Sequence, residues 1–146
     1  EGGDMRPSGI WESSVLAFDA PDRFARAGLG LVSGAALARF DVTQLRYEDV
    51  RILVRARGPG ELLMRRAYGE ERAIEIGGER VGPPFCTLAA DPDEPVVLER
   101  EGESVLITSS RESRRCHLDG FTGPIALAMR ALEPGVTFAT LEVTRF

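Results

Sequence analysis

Short apolar runs recur along the chain and are separated by turn residues at intervals of roughly 8–12 residues, as in antiparallel sandwiches and barrels. The clearest run is Tyr47–Gly58, in which apolar and polar positions alternate. This period of two predicts a strand with one buried face and one face in water. The apolar parity holds Val50, Ile52, Val54 and Ala56, and the opposite parity holds Arg51, Leu53, Arg55 and Arg57.

Further strands follow from the same pattern. Ile10–Phe18 is the first, and Glu61–Tyr68 with Arg72–Gly78 forms a hairpin around Gly69-Glu70. A second hairpin, "VVLEREGESVLITSS", turns at Glu101-Gly102, and Ser110–Arg115 is expected to be a polar turn after it. The one helical candidate is "PDRFARAG", which is long enough for one or two turns.

The last two apolar segments, "PIALAMRAL" and "VTFATLEVTRF", are expected to pair through Glu133-Pro134-Gly135. A bulge near Ala139-Thr140 would reconcile the alternation of the final strand. The chain is therefore predicted to be all-β: a two-sheet antiparallel β-sandwich of about ten strands over residues 10–146, with residues 1–9 disordered or tag-like. Its expected core includes Val50, Ile52, Val54, Leu106, Ile125, Leu127, Phe138 and Leu141.

Composition narrows the classes of partner. The chain has 146 residues and a net charge of -5, which suit one soluble domain and disfavour nucleic acid and anionic membranes as partners. No apolar run reaches the roughly 18 residues of a membrane span. Two cysteines, Cys86 and Cys116, are expected on nearby strands, as a disulfide or, slightly favoured, as free thiols. The N-terminus shows no signal-peptide core, and the compartment stays open between secreted and cytoplasmic.

The closing stretch "GFTGPIALAM", followed by "VTFATLEVTRF", resembles the last strands of concanavalin A-like jelly-roll domains. It is most similar to the C-terminal β-sandwich of β-xylosidases and arabinofuranosidases. Their hairpin also resembles "VVLEREGESVLITSS", although a Trp that follows it in the family is missing here. The resemblance, over about half of the chain, implies a jelly-roll sandwich and a link to carbohydrate, and it carries over no catalytic residues.

Catalytic and metal-binding patterns are missing from the sequence. Glycosidases need two carboxylates flanking the scissile bond, but "DPDEP" (Asp91–Pro95) is predicted to be a solvated loop. Neighbouring Ser, His and Asp residues between Ser109 and Asp119 lack a nucleophile elbow. One histidine, His117, cannot build an ordinary zinc site. No cofactor or metal is expected, and an enzyme is the less favoured interpretation.

Ligand-binding candidates are the arginines of the central strand and one aromatic residue. If the polar parity of that strand lines a ligand groove, Arg51, Arg55 and Arg57 would bond acidic or densely hydroxylated ligands, and Arg66 and Tyr68 would flank them. The alternative is a solvated face whose arginines pair with glutamates. Trp11 and Tyr47 are the other amphipathic aromatics; Trp11 is expected to be a core or half-buried residue, and Tyr47 is expected to cap the core.

The first functional hypothesis is a non-catalytic carbohydrate-binding or accessory domain associated with glycoside hydrolysis. The alternative is a small all-β enzyme or binding protein for a non-sugar metabolite, with a pocket at the sheet face. A purely structural domain or an oligomerisation domain, which could form a homo-oligomer, is the third.

Overall fold

The computed structural model describes residues 17–18, 24–27, 30–34, 36–37, 39–41, 48–66 and 69–145. These residues contain no α-helix, and none of their elements could cross a membrane as a long apolar helix. Their strands, three of them only two residues long, are β1 (Ala17–Phe18), β2 (Phe24–Ala27), β3 (Gly30–Ser33), β4 (Arg39–Asp41), β5 (Val50–Arg57), β6 (Gly60–Arg65), β7 (Glu71–Ile76), β8 (Arg80–Val81), β9 (Leu88–Ala89), β10 (Val96–Glu101), β11 (Ser104–Thr108), β12 (Ser113–His117), β13 (Ala126–Ala131) and β14 (Thr137–Arg145).

Two antiparallel sheets form a β-sandwich, which confirms the predicted fold class. The five-stranded sheet has the order β1-β4-β13-β6-β7, and the seven-stranded sheet has the order β12-β11-β10-β5-β14-β3-β2. Their facing apolar side chains form one core cluster, with Leu62 and Leu127 from the first sheet and Ile52 and Leu98 from the second. Such interdigitation is how two sheets bury their inner faces.

Strand β5 shows how the local pattern sets the faces. Its alternate residues from Val50 to Ala56 are buried, whereas Arg51 and Arg55 are exposed, as the period of two predicts. The ladder between β5 and β14 shifts register between Phe138 and Thr140. This shift confirms the bulge, and it allows both Phe138 and Leu141 to reach the core.

Long-range pairing corrects the expectation for the last two strands. β13 lies between β4 and β6, whereas β14 lies between β5 and β3 in the other sheet. The connection through Glu133-Pro134-Gly135 therefore crosses between sheets. It runs beside the β5–β6 crossover, where the Leu132 amide donates to the Pro59 carbonyl at 2.9 Å.

Three smaller expectations are wrong. Leu106 is half-buried on the outward parity of β11, because its neighbours Val105 and Ile107 take the core positions. The polar segment Ser110–Arg115 turns by residue 112 and then forms the edge strand β12, where polar side chains on both faces are tolerated. The helical candidate contains β2, which pairs with β3.

A two-stranded hairpin, β8–β9, joins the edges of the two sheets. Glu75 of edge strand β7 exchanges two backbone hydrogen bonds with Gly82, at 2.9 and 3.0 Å. On the other side, Cys86 forms a disulfide with Cys116 of edge strand β12. The slight preference for free thiols is thus wrong. Only one of the two cysteines lies on a strand, since Cys86 sits in the turn between β8 and β9.

Candidate functional site

The predicted arginines of β5 share the outer face of the seven-stranded sheet. Arg51, Arg55 and Arg57 are all exposed, and they point away from the core because Val50, Ile52 and Val54 point into it. The alternation alone was sufficient to group these three side chains. Their placement on the outer face of a central strand came from the sheet order.

Neighbouring strands extend this face with aliphatic and polar groups. Register places Val97 opposite Leu53, and it places Leu106 opposite Glu99, which itself lies opposite Arg51. Leu53, Val97 and Leu106 are each half-buried, and together they are called the aliphatic strip. The face therefore combines a shallow apolar surface with guanidinium and carboxylate groups at its border.

The three arginines are held to different degrees. Arg55 donates through Nε to the Asp93 carbonyl at 3.1 Å, so it fixes the 91–95 loop. Arg51 Nε lies 3.6 Å from Glu99 Oε2, with 47% of the arginine side chain exposed. Within the described part of the chain, the Arg57 side chain makes no hydrogen bond or ion pair, although its backbone belongs to the ladder with β14. Arg51 and Arg57 thus keep most of their donors for another partner.

The acidic loop beside this face is a structural connection. Asp91 accepts hydrogen bonds from Ser110 Oγ at 2.8 Å and Arg111 Nε at 2.9 Å. These bonds, with the charge of Arg111, lower the pKa of the Asp91 carboxyl below its ordinary value of 3.8. The Asp91 carboxylate therefore binds the turn between β11 and β12. Residues 91–95 form a loop, as the sequence predicted.

The outward side of the five-stranded sheet carries ion pairs. Arg39 Nη2 lies 2.7 Å from Glu71 Oε2, and Arg65 Nε lies 2.9 Å from the same oxygen. Arg130 Nη2 lies 2.6 Å from Glu61 Oε1. These guanidinium groups already face carboxylates within the protein. The less tightly paired arginines of the seven-stranded sheet are consequently the better ligand candidates.

Arg66 lies away from the β5 arginines, at the end of the sandwich where β5 begins and β6 ends. It belongs to a cluster in which three guanidinium groups surround the buried ring of Phe121. The guanidinium carbons of Arg66, Arg72 and Arg100 lie 5.5, 4.9 and 5.8 Å from the ring centroid. Such distances permit cation–π attraction. Tyr68, Trp11 and Tyr47 lie outside the described residues.

Arg100 is the buried member of this cluster, with 1% of its surface exposed. Its Nη1 donates to the Glu48 carbonyl at 2.6 Å, and its Nη2 donates to the Phe121 carbonyl at 2.9 Å. Burial lowers the pKa of its guanidinium, since desolvation disfavours the charged form. These bonds tie the segment before β5 to the turn before β13, which indicates a structural role.

No metal-binding cluster occurs in the described residues, and the serines and the cysteine considered as nucleophiles have other partners. Nowhere among them do three or more His, Cys, Asp or Glu side chains gather as they would around a metal ion. Ser109 Oγ donates to the Ala89 carbonyl at 2.6 Å, and Ser113 Oγ lies 3.1 Å from the Thr108 hydroxyl. Since Cys116 is in the disulfide, the neighbouring pair Cys116-His117 offers no thiol nucleophile.

Sequence reasoning missed four notable residues: Arg72, Arg100, Phe121 and Phe85. The first three meet only through tertiary packing, and no local spacing connects them. Phe85 is 67% exposed. The double proline before it was a sequence signal that it lies in a turn rather than in the core.

Comparisons with known proteins bear on the fold. No protein-family model and no curated protein matches the chain. A solved carbohydrate-binding module, CBM66 from Bacillus subtilis, is similar with a TM-score of 0.58 and 13% identity, covering 83% of this chain and 90% of the module. The SPRY domain of human HERC1 is similar with a TM-score of 0.57 and 8% identity, covering 89% of this chain and 98% of that domain. At these identities the likeness is one of fold, and it supports the β-sandwich.

Proposed function

We propose that this sandwich is a non-catalytic carbohydrate-binding domain, of the concanavalin A-like jelly-roll type, that serves as an accessory to glycoside hydrolysis. The observation that carries the proposal is the outer face of the seven-stranded sheet. There the aliphatic strip lies beside Arg51, and Arg57 lies farther along the same face of β5, beyond Arg55; the donors of Arg51 and Arg57 are largely available. The fold shared with a module named for carbohydrate binding is consistent with it.

The chemistry of the face suits a sugar chain. Sugar rings present C–H surfaces that pack on apolar side chains, and their hydroxyls accept hydrogen bonds from fixed donors. The aliphatic strip provides the first contact, and the guanidinium groups of Arg51 and Arg57 provide the second. Since guanidinium groups only donate, acidic or densely hydroxylated glycans are the preferred class.

The disulfide is consistent with a protein that functions in an oxidising compartment, where such bonds persist. Polysaccharides that need hydrolysis are commonly outside the cell. The proposed function therefore includes an extracytoplasmic location.

The first experiment measures binding to an immobilised glycan panel, followed by calorimetry with tetragalacturonate as an acidic probe and xylotetraose as a neutral one. The wild type is expected to bind, and to prefer the acidic probe. Arg51→Ala is expected to weaken that binding by roughly 10- to 150-fold, because a hydrogen bond to a charged group is lost.

Arg114→Ala is the matched control. Arg114 is exposed on β12 but lies opposite Ile107, on the parity that points away from the outer face. It should leave affinity unchanged. No binding by the wild type to the panel or to either probe ends the proposal. Binding confined to a non-sugar metabolite screen would favour the alternative of a metabolite-binding protein.

A further inference from the structure

Phe85 presents an aromatic ring to solvent at the edge of the sandwich. It is 67% exposed, more than any other large hydrophobic side chain in the described residues; the next are Leu37 at 61% and Leu132 at 37%. It lies in the turn between β8 and β9, the hairpin that joins the two sheet edges. An aromatic ring in water gains free energy when a ligand covers it, so Phe85 is a candidate contact for a ligand.

The turn that carries Phe85 is held from several sides. The Cys86 amide donates to the Pro83 carbonyl at 2.9 Å, and Cys86 is bonded to Cys116. Thr87, the residue after Cys86, is held by Arg80, whose Nη2 donates to the Thr87 carbonyl at 3.0 Å and to the Thr87 hydroxyl at 2.9 Å. The backbone is therefore held on both sides of Phe85 while its ring lies in solvent. Pre-organisation of this kind lowers the entropy cost of binding.

The size of the apolar surface indicates what it can bind. One phenylalanine offers at most about 150–250 Å², of which two thirds are exposed here. A stable protein interface needs about 800 Å² from each partner. The exposed side chains on the segments bonded to this turn are polar and include Arg80 and Glu112. A single small ring with polar substituents fits such a surface, whereas a second protein does not.

We propose that Phe85 is the stacking platform of a second sugar subsite, which takes one pyranose or furanose ring by its C–H face. This inference rests on the proposed carbohydrate-binding function and adds a site at the sandwich edge, separate from the arginines of β5. The polar groups on the surrounding segments bond the hydroxyls of the stacked ring. Stacking on Phe85 should contribute equally to the binding of acidic and neutral glycans, because the phenyl ring is uncharged.

The test uses the whole chain with its disulfide intact, and the same two probes, tetragalacturonate and xylotetraose. Phe85→Ala is expected to weaken binding of both by roughly tenfold or more, because burial of the ring by the sugar is lost. Phe85→Trp should retain or tighten binding and should show a change in indole emission on addition of sugar. Leu132→Ala, a partly exposed aliphatic truncation outside this turn, should leave affinity unchanged.

The outcomes separate this inference from the proposed function. Wild-type binding with unchanged affinity of Phe85→Ala, or an unresponsive Phe85→Trp that binds normally, overturns the stacking subsite and leaves the carbohydrate-binding function standing. A Phe85→Ala protein that changes only its oligomeric state in sedimentation also overturns the subsite. Absence of wild-type binding to both probes and to the panel overturns the function and the subsite together.

Discussion

At the scale of single residues, Arg100 shows how a charged side chain can be part of the core. It lies on the inward parity of β10, opposite Val50 and Val105, and is 1% exposed. A buried charge is costly unless hydrogen bonds compensate for lost hydration. Its two backbone acceptors and the ring of Phe121 provide part of this compensation, and the Asp49 carboxylate acts in the same direction at longer range. The buried Nε has no hydrogen-bond partner among the described residues, so the compensation is incomplete.

Replacement of Arg100 by Met tests this balance. The change keeps an apolar stem but removes the donors to the Glu48 and Phe121 carbonyls, so we expect the free energy of unfolding to fall by about 1–3 kcal/mol. Urea denaturation of the variant measures the loss. Arg114→Met, at an exposed position, is the control and should change stability little. Equal or higher stability of Arg100→Met would show that the buried charge costs more than its bonds contribute.

At the scale of elements, Gly77 allows the turn after β7 to approach the connection between β5 and β6 closely. The Gly58 amide, at the β5–β6 crossover, donates to the Gly77 carbonyl at 2.9 Å, and Gly77 follows β7 with a φ of +89°. A Cβ at Gly77 would collide with the Gly58 carbonyl oxygen, whereas a Cβ at Gly78 would meet no atom within 4 Å. Gly77 is therefore required by its backbone angle and by the close approach of Gly58, whereas neither constraint applies to Gly78.

Alanine substitution separates those reasons. Gly77→Ala should lower the free energy of unfolding by at least about 1–2 kcal/mol, because it forces an L side chain into the left-handed region and against backbone. Gly78→Ala is the matched variant, with equal loss of chain freedom and no contact, and it should be neutral or slightly stabilising. Thermal denaturation of both proteins gives the comparison. Equal melting temperatures would contradict the assigned close approach.

At the scale of the whole molecule, the β8–β9 hairpin closes one side of the sandwich. It is bonded to β7 of one sheet through Gly82, and Ser109 Oγ, beyond β11 of the other, donates to the Ala89 carbonyl at 2.6 Å. Val81 and Leu88 of this hairpin are buried in the common core. The disulfide adds a covalent tie at the same place, across a sequence separation of 30 residues.

Removal of the disulfide should destabilise the attachment of the β8–β9 hairpin, while the β-sandwich should still fold. Cys86→Ala with Cys116→Ala is expected to lower the free energy of unfolding by about 3–4 kcal/mol, from the loop entropy released in the unfolded chain. Reduction of the wild type should give a similar loss in denaturant titrations. Thiol titration of the denatured, unreduced protein is the direct control. Two reactive thiols there would show that the bond is not formed.

The sequence by itself determined which side of the central strand β5 faces the core, whereas for β11 it placed Leu106 on the wrong side. Alternation identified Val50, Ile52 and Val54 as buried and grouped Arg51 with Arg55, because neighbouring side chains of a strand point to opposite faces whatever the strand pairs with. The turn residues located both central hairpins, since Gly and Pro act through their own backbone angles. The bulge at Ala139-Thr140 was also readable, as it breaks that alternation locally.

Only the tertiary structure decided which strands share a sheet. β13 and β14 adjoin in sequence yet lie in different sheets, Arg66 joins Arg100 around Phe121 instead of joining Arg51, and Cys86 reaches Cys116 across the sandwich edge. These relations connect residues far apart in the chain. They depend on the total apolar surface that the two sheets bury together, which no short stretch of sequence encodes.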